Sequence, residues 1–132
     1  MTKKLFILSL IGLISATSAY AKCDGGTEIT NSAGTTFCRS NVRMNWWSAA
    51  AWCRANGLHL ATMYEMCPSW DGNTGNGKCQ ELKGVDSQPE HVWSATAAGM
   101  HWGFTVNCLY GTVYGINNAE RQQDNSRRAF CL

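Results

Sequence analysis

The sequence predicts a small α+β domain held by disulfides, and three observations carry that reading. Residues 102–108, Trp-Gly-Phe-Thr-Val-Asn-Cys, alternate in strand period, with Phe104, Val106 and Cys108 on one face and Thr105 and Asn107 on the other. Two capped helical segments lie well before that strand. Seven cysteines, at 23, 38, 53, 67, 79, 108 and 131, all follow an export-type leader.

The leader is read from Lys3 and Lys4, the apolar run Leu5 to Ile14, and Ala19-Tyr20-Ala21, which suits signal peptidase. The apolar run is about half the ~20 residues a membrane span needs. Lys22 before Cys23 lacks the small residue of a lipoprotein signal. Residues 1–21 are thus expected to be removed, leaving 132 − 21 = 111 residues as one domain, 22–132. Without Lys3 and Lys4 the 11 basic residues become nine, equal to the nine acidic ones. A neutral chain with no basic stripe argues against nucleic acid or an anionic membrane as partner. No insertion into a membrane is expected after cleavage. Export, to the periplasm, the cell surface or the medium, makes disulfides the default, and an odd cysteine count leaves one thiol over.

The elements follow in order. Two short extended pieces flank Asn31-Ser32-Ala33-Gly34, and Cys23 and Cys38 bracket them as a stapled hairpin. Asn45 caps a helix over Trp46 to Asn56, ended by Gly57, with Trp46, Ala49, Ala50 and Cys53 on the buried stripe. Leu58 to Ala61 is an extended link. Thr62 and Glu65 form a capping box that starts a shorter helix, stopped at Cys67-Pro68. Residues 68–91 read as a long loop pinned by Cys67 and Cys79. Residues 92–116 read as short strands. A polar run from 114 to 128 then returns to a terminal strand ending in Ala129-Phe130-Cys131. Cys108, on the inward face, is the expected free thiol and behaves as a small hydrophobe. Of the tryptophans, Trp46, Trp52, Trp93 and Trp102 read as core, and Trp47 and Trp70 as exposed.

The run Met44 to Cys53, with Gly57-Leu58-His59-Leu60-Ala61-Thr62, resembles the first-helix signature of the C-type lectin family and the start of its second helix. The resemblance covers nearly all of residues 22–132. It implies two helices, small antiparallel sheets and a long pinned loop, and it implies that Cys53 of the first helix bonds Cys131 of the last strand. A bridge of that span stabilises by roughly 4–5 kcal/mol in the chain-entropy model. More narrowly, Trp93-Ser94-Ala95-Thr96, Val106-Asn107, Gly111-Thr112-Val113 and Arg128-Ala129-Phe130-Cys131 resemble bacterial lectin-fold proteins diversified by retroelements, the variable proteins. That resemblance implies a ligand-binding face of Met100, His101, Leu109, Tyr110, Tyr114, Ile116, Asn117, Asn118, Glu120, Arg121, Gln122, Gln123, Asp124 and Asn125. Adenine mutagenesis of asparagine codons cannot yield Met100, Trp102, Glu120, Gln122 or Gln123. Either the template codons differ or the chain is a fixed relative.

Other sites weigh less. Gln88-Pro89-Glu90 resembles the triplet by which lectins hold calcium and sugar, but its family partner, Trp-Asn-Asp, is here Trp93-Ser94-Ala95 and supplies no carboxylate. Asp71 to Gly77 resembles a calcium loop, yet its twelfth position is Leu82 instead of glutamate. Zinc lacks a CxxC or HxxxH spacing. Enzymes that generate formylglycine share a related architecture in a much larger chain, and no Ser/His/Asp, paired-carboxylate or metal constellation is visible here. The reading is therefore an exported recognition module for a protein or glycan, not an enzyme, needing no metal or cofactor. A calcium-dependent lectin or a minor surface adhesin subunit are the alternatives.

Overall fold

The computed structural model describes residues 22–73, 76–115 and 120–132; the expected leader, 1–21, lies outside the described residues. Strands β1 (Gly26–Thr30) and β2 (Thr36–Met44) form the first hairpin, and helix α1 (Trp46–Ala55) follows. Helix α2 (Met63–Met66), strand β3 (Asn76–Lys78) and a 3₁₀ turn (Gln80–Leu82) come next. Strands β4 (His91–Gly99), β5 (Trp102–Asn107), β6 (Thr112–Tyr114), β7 (Glu120–Arg121) and β8 (Arg127–Cys131) complete the chain. The described strands join into one sheet of order β1-β2-β8-β4-β5-β6-β3, with β7 beside β5. Separate small antiparallel sheets were the expectation. Instead the last strand enters between β2 and β4, where it runs antiparallel to one and parallel to the other, and so joins the two halves.

Both helix starts are fixed locally. The Asn45 side chain accepts from the Ser48 amide at 2.8 Å. At α2 the Thr62 hydroxyl accepts from the Glu65 amide while the Glu65 carboxylate accepts from the Thr62 amide, so two otherwise unpaired N–H groups are satisfied.

The sheet carries a core on each face. On one side α1 presents Ala49 and Cys53 to Cys38, Leu60, Trp93, Ala129 and Cys131. On the other, α2 and the segment after it pack Met63, Met66, Cys67, Cys79 and Leu82 over Phe37, Val92, Phe104, Val106, Val113 and Phe130. Val92/Trp93 and Phe130/Cys131 thus send alternate side chains to opposite cores, as the strand period requires.

Cys23–Cys38, Cys53–Cys131 and Cys67–Cys79 are bonded, and Cys108 is a buried free thiol. Cys38 and Cys131 face each other across β2 and β8, so two of the bridges lie side by side and tie the first hairpin, α1 and β8 together. Three disulfides fit an exported protein. Among the described residues no helix is long and apolar enough to cross a membrane.

Several expectations are corrected. Strand β5 buries both faces: Thr105 and Asn107 are as enclosed as Phe104 and Val106, and on that second face Trp46 and Trp93 crowd Gly103 while Trp93 stands opposite Thr105 and His91 opposite Asn107. Trp70 is 7% exposed, packed edge-on against Phe104. Of the four tryptophans expected in the core, Trp93 is fully buried, whereas Trp46, Trp52 and Trp102 are half-buried at the rim. The loop 68–91 is also less irregular than its composition suggests. It contributes β3 to the edge beside β6, and Leu82 to the core.

Candidate functional site

The turn from β4 to β5 sits at one end of the sheet, where β4 is irregular. Its register against β5 shifts between Trp93 and Ala97 and again before Gly99. Such bulges twist a strand and re-aim its tip. Here they carry Met100 and His101 outward, with Met100 87% exposed. Strand β7 pairs alongside, Arg121 opposite Trp102. Helix α1 begins next to both, because the Trp46 amide donates to the Gln122 carbonyl at 2.9 Å. Three separate segments therefore meet at one point.

Their meeting leaves a concavity of about 320 Å³ lined by Trp47, His101, Trp102, Arg121 and Gln123. Trp47 comes from the first turn of α1 and is 53% exposed. The Arg121 guanidinium lies over the Trp102 ring, 5.5 Å from its centroid, which is cation–π geometry. That contact favours one placement of the cation. Among the described residues no carboxylate lines the pocket.

Gln122 belongs to this end in a different way from its neighbours. Expected on the binding face, it is 5% exposed. Its amide donates to the His101 carbonyl at 2.9 Å and its side chain to the Trp102 carbonyl at 3.2 Å. With the Trp46 bond, Gln122 ties β7 to the β4–β5 turn and to α1. It positions the pocket; it does not line it. A buried glutamine in a polar run has no periodic signature, so sequence reading missed the role.

The remaining expected face residues divide. His101, Arg121 and Gln123 meet in the pocket, joined by Trp47 and Trp102, which were not among them. Asn125 is exposed and Asp124 half-buried on the following turn, the Asp124 amide donating to the Arg121 carbonyl. Leu109 and exposed Tyr110 lie beyond the other end of β5, on the turn to β6. Tyr114, half-buried, pairs with Thr105 in mid-strand, and its ring lies 5.1 Å from that of His91. Ile116, Asn117, Asn118 and the Glu120 side chain lie outside the described residues. Among the described residues the expected face is thus not one patch, because β5 separates its two parts.

That far end is occupied by internal bonds. The Asn107 carboxamide oxygen accepts from the Leu109 and Tyr110 amides at 2.9 and 3.1 Å. The Gly84, Asp86 and Cys108 amides donate to Leu109, Cys108 and Glu90 carbonyls respectively. Asp86 pairs with Arg39. Glu90 accepts from Arg128 at 2.9 Å and faces Arg43 at 3.5 Å, and the Arg128 hydrogen bond holds its carboxyl below the usual carboxylate range. Burial and then the charge of Arg127 push His91 down to about 4. Burial, reinforced by Asp86, raises Cys108 to about 12, so the thiol stays protonated at neutral pH.

Among the described residues no three His, Cys, Asp or Glu side chains cluster. Asp71 spends an oxygen on the Asn73 amide, in a turn. No protein-family model matches the chain, and no curated protein matches it in sequence.

Proposed function

We propose that the chain is an exported recognition module of C-type lectin-like fold that binds a protein or glycan at the concavity between α1, the β4–β5 turn and β7. The observation that supports this reading is the meeting there of two indoles, a histidine, an arginine and a glutamine from three segments. Tryptophan and arginine supply rigid contact area and directed hydrogen bonds, the residue types that carry most energy at interfaces. A scaffold with two cores and three bridges can vary such surface residues without losing its fold. The bound state is expected to need no metal and no cofactor, and the role is recognition rather than catalysis.

The exported, disulfide-bonded protein, immobilised and screened against a glycan array and a library of displayed proteins, tests the reading. Binders so selected are expected to lose tenfold or more in affinity on Arg121→Ala or His101→Ala, about 1.4 kcal/mol. Binding losses that map to residues 70–90, with both pocket variants unaltered, would overturn it.

A further inference from the structure

We infer that the ligand group seated in this pocket is a carboxylate attached beside a ring that can lie against an indole, as at a peptide's C-terminal aromatic residue or on a sugar acid. The inference rests on the pocket being the binding site and names the chemistry it selects. Arg121 is the one described lining residue with a permanent charge, and among the described residues no carboxylate lines the pocket beside it. The guanidinium fork matches a planar carboxylate with two parallel N–H bonds. One cation balances one negative charge, which favours a carboxylate over a phosphate dianion. Its place over the Trp102 ring restricts the side chain, so less of its freedom is lost on binding.

The second half of the inference comes from the other indole. Arg121 already covers a face of Trp102, while Trp47, in the same pocket, stands 53% exposed. An exposed indole beside a placed cation offers a flat apolar surface that a ring held against it uses best. His101 and Gln123 add polar groups at the wall that can bond an amide or hydroxyl next to the carboxylate. A ring without the acid, or an acid without the ring, would satisfy half of the site.

The test uses the full exported protein labelled with ¹⁵N and titrated with four probes. N-acetyl-phenylalanine and glucuronate carry both groups, N-acetyl-phenylalaninamide carries the ring alone, and inorganic phosphate the charge alone. Resonances of the Trp47 and Trp102 indole N–H and the Arg121 Nε–H are expected to shift with at least one acid. The ring-only and charge-only probes are expected to bind at least tenfold more weakly. Which acid binds tells a peptide end from a sugar acid. Arg121→Gln should abolish the preference for acid over amide while Trp47→Ala weakens acid and amide alike, with melting temperature confirming that both variants fold. Equal binding of acid and amide, phosphate binding as tightly as the acids, or no shift with either acid at 10 mM, roughly the weakest affinity such a two-point contact would give, would overturn the inference. If the acids fail but binders from the library still shift Arg121, the ligand chemistry is wrong and the site stands. If those binders leave Arg121 unmoved, the site itself is wrong.

Discussion

The two ends of strand β5 lie about 17 Å apart at an ordinary strand rise and make opposite use of similar polar residues. At the Asn107 end the principal polar side chains are spent on the fold, with Asn107 holding its turn and Asp86 and Glu90 held by arginines. At the Trp102 end His101, Arg121 and Gln123 surround a concavity, and the internal work is given to one buried neighbour, Gln122. Polarity alone does not make a binding surface. What distinguishes the two ends is whether the side chains still have capacity once the backbone is satisfied.

The sharpest way to break the contrast is to disturb the closed end. Gly111 has φ of 73°, and a Cβ there would stand 2.5 Å from the Cys79 carbonyl oxygen. The same Cys79 donates its amide to the Gly111 carbonyl at 2.7 Å, so neither backbone can move away cheaply. Gly111→Ala is expected to destabilise by at least about 2 kcal/mol, since it combines a left-handed backbone with a backbone clash. Urea denaturation measures it, and a variant as stable as the parent would show this end to be pliant.

Acid should act on the same end. His91 pairs with Asn107 across the strands and titrates in the fold near 4, against 6.5 when free. Between those values the unfolded chain binds the proton and the folded chain does not, so stability falls as pH drops from about 6.5 to about 4. The groups facing His91 are Arg127, Arg43 and Glu90, and only Glu90 favours the imidazolium. Glu90 itself has a lowered pKa, so its contribution is lost further down, below its ordinary 4.5. The denaturation midpoint is expected to decline across the first window, and the decline should be absent in His91→Gln. An unchanged slope in that variant would remove His91 from the account.

Much of this architecture was legible in the chain because its signals are local. Asn45 and the Thr62/Glu65 pair mark helix starts through hydrogen bonds made within three residues. Cys23 and Cys38 bracket a hairpin whose turn residues are in plain sequence. The illegible parts are those that other segments decide. Thr105 and Asn107 alternate like an exposed face, and it is residues from elsewhere in the chain, Trp93 and Tyr114 beside Thr105 and His91 beside Asn107, that stand next to them in the fold. Trp47 was recognised as exposed but could not be joined to Arg121, 74 residues later, without the register of β5 and β7. The polarity of the C-terminal run is plain in the chain, yet polarity does not say that Gln122 turns in while Gln123 turns out.

Gln122 gives the next test. Removing its side chain by Gln122→Ala deletes the bond to the Trp102 carbonyl while leaving the backbone bonds to His101 and Trp46. A loss of about 1 kcal/mol in stability is expected. If the residue positions the pocket, line broadening of the Trp102 and Arg121 resonances should accompany that loss, with Tyr110 unaffected. Equal effects at Tyr110 would mean the two ends are not independent.

The smallest effect expected is that of calcium, and it tests whether the closed end is closed. A lectin-type calcium site needs several oxygen ligands with unspent charge around the ion. Glu90 is instead shared by Arg128 and Arg43, and its neighbour Asp86 is paired with Arg39, so a cation would have to displace guanidinium groups from both. Displacing Arg128 would also release the strand that ends in the Cys131 bridge, because Arg128 sits opposite Val92 in β4 and reaches the Asn41 carbonyl of β2. Millimolar calcium is therefore expected to leave the melting temperature within about 1 °C of its metal-free value, a change too small to reflect saturation of a specific site. A clear calcium-dependent rise, lost in Glu90→Ala, would show that the arginines yield and would move the binding surface to the Asn107 end.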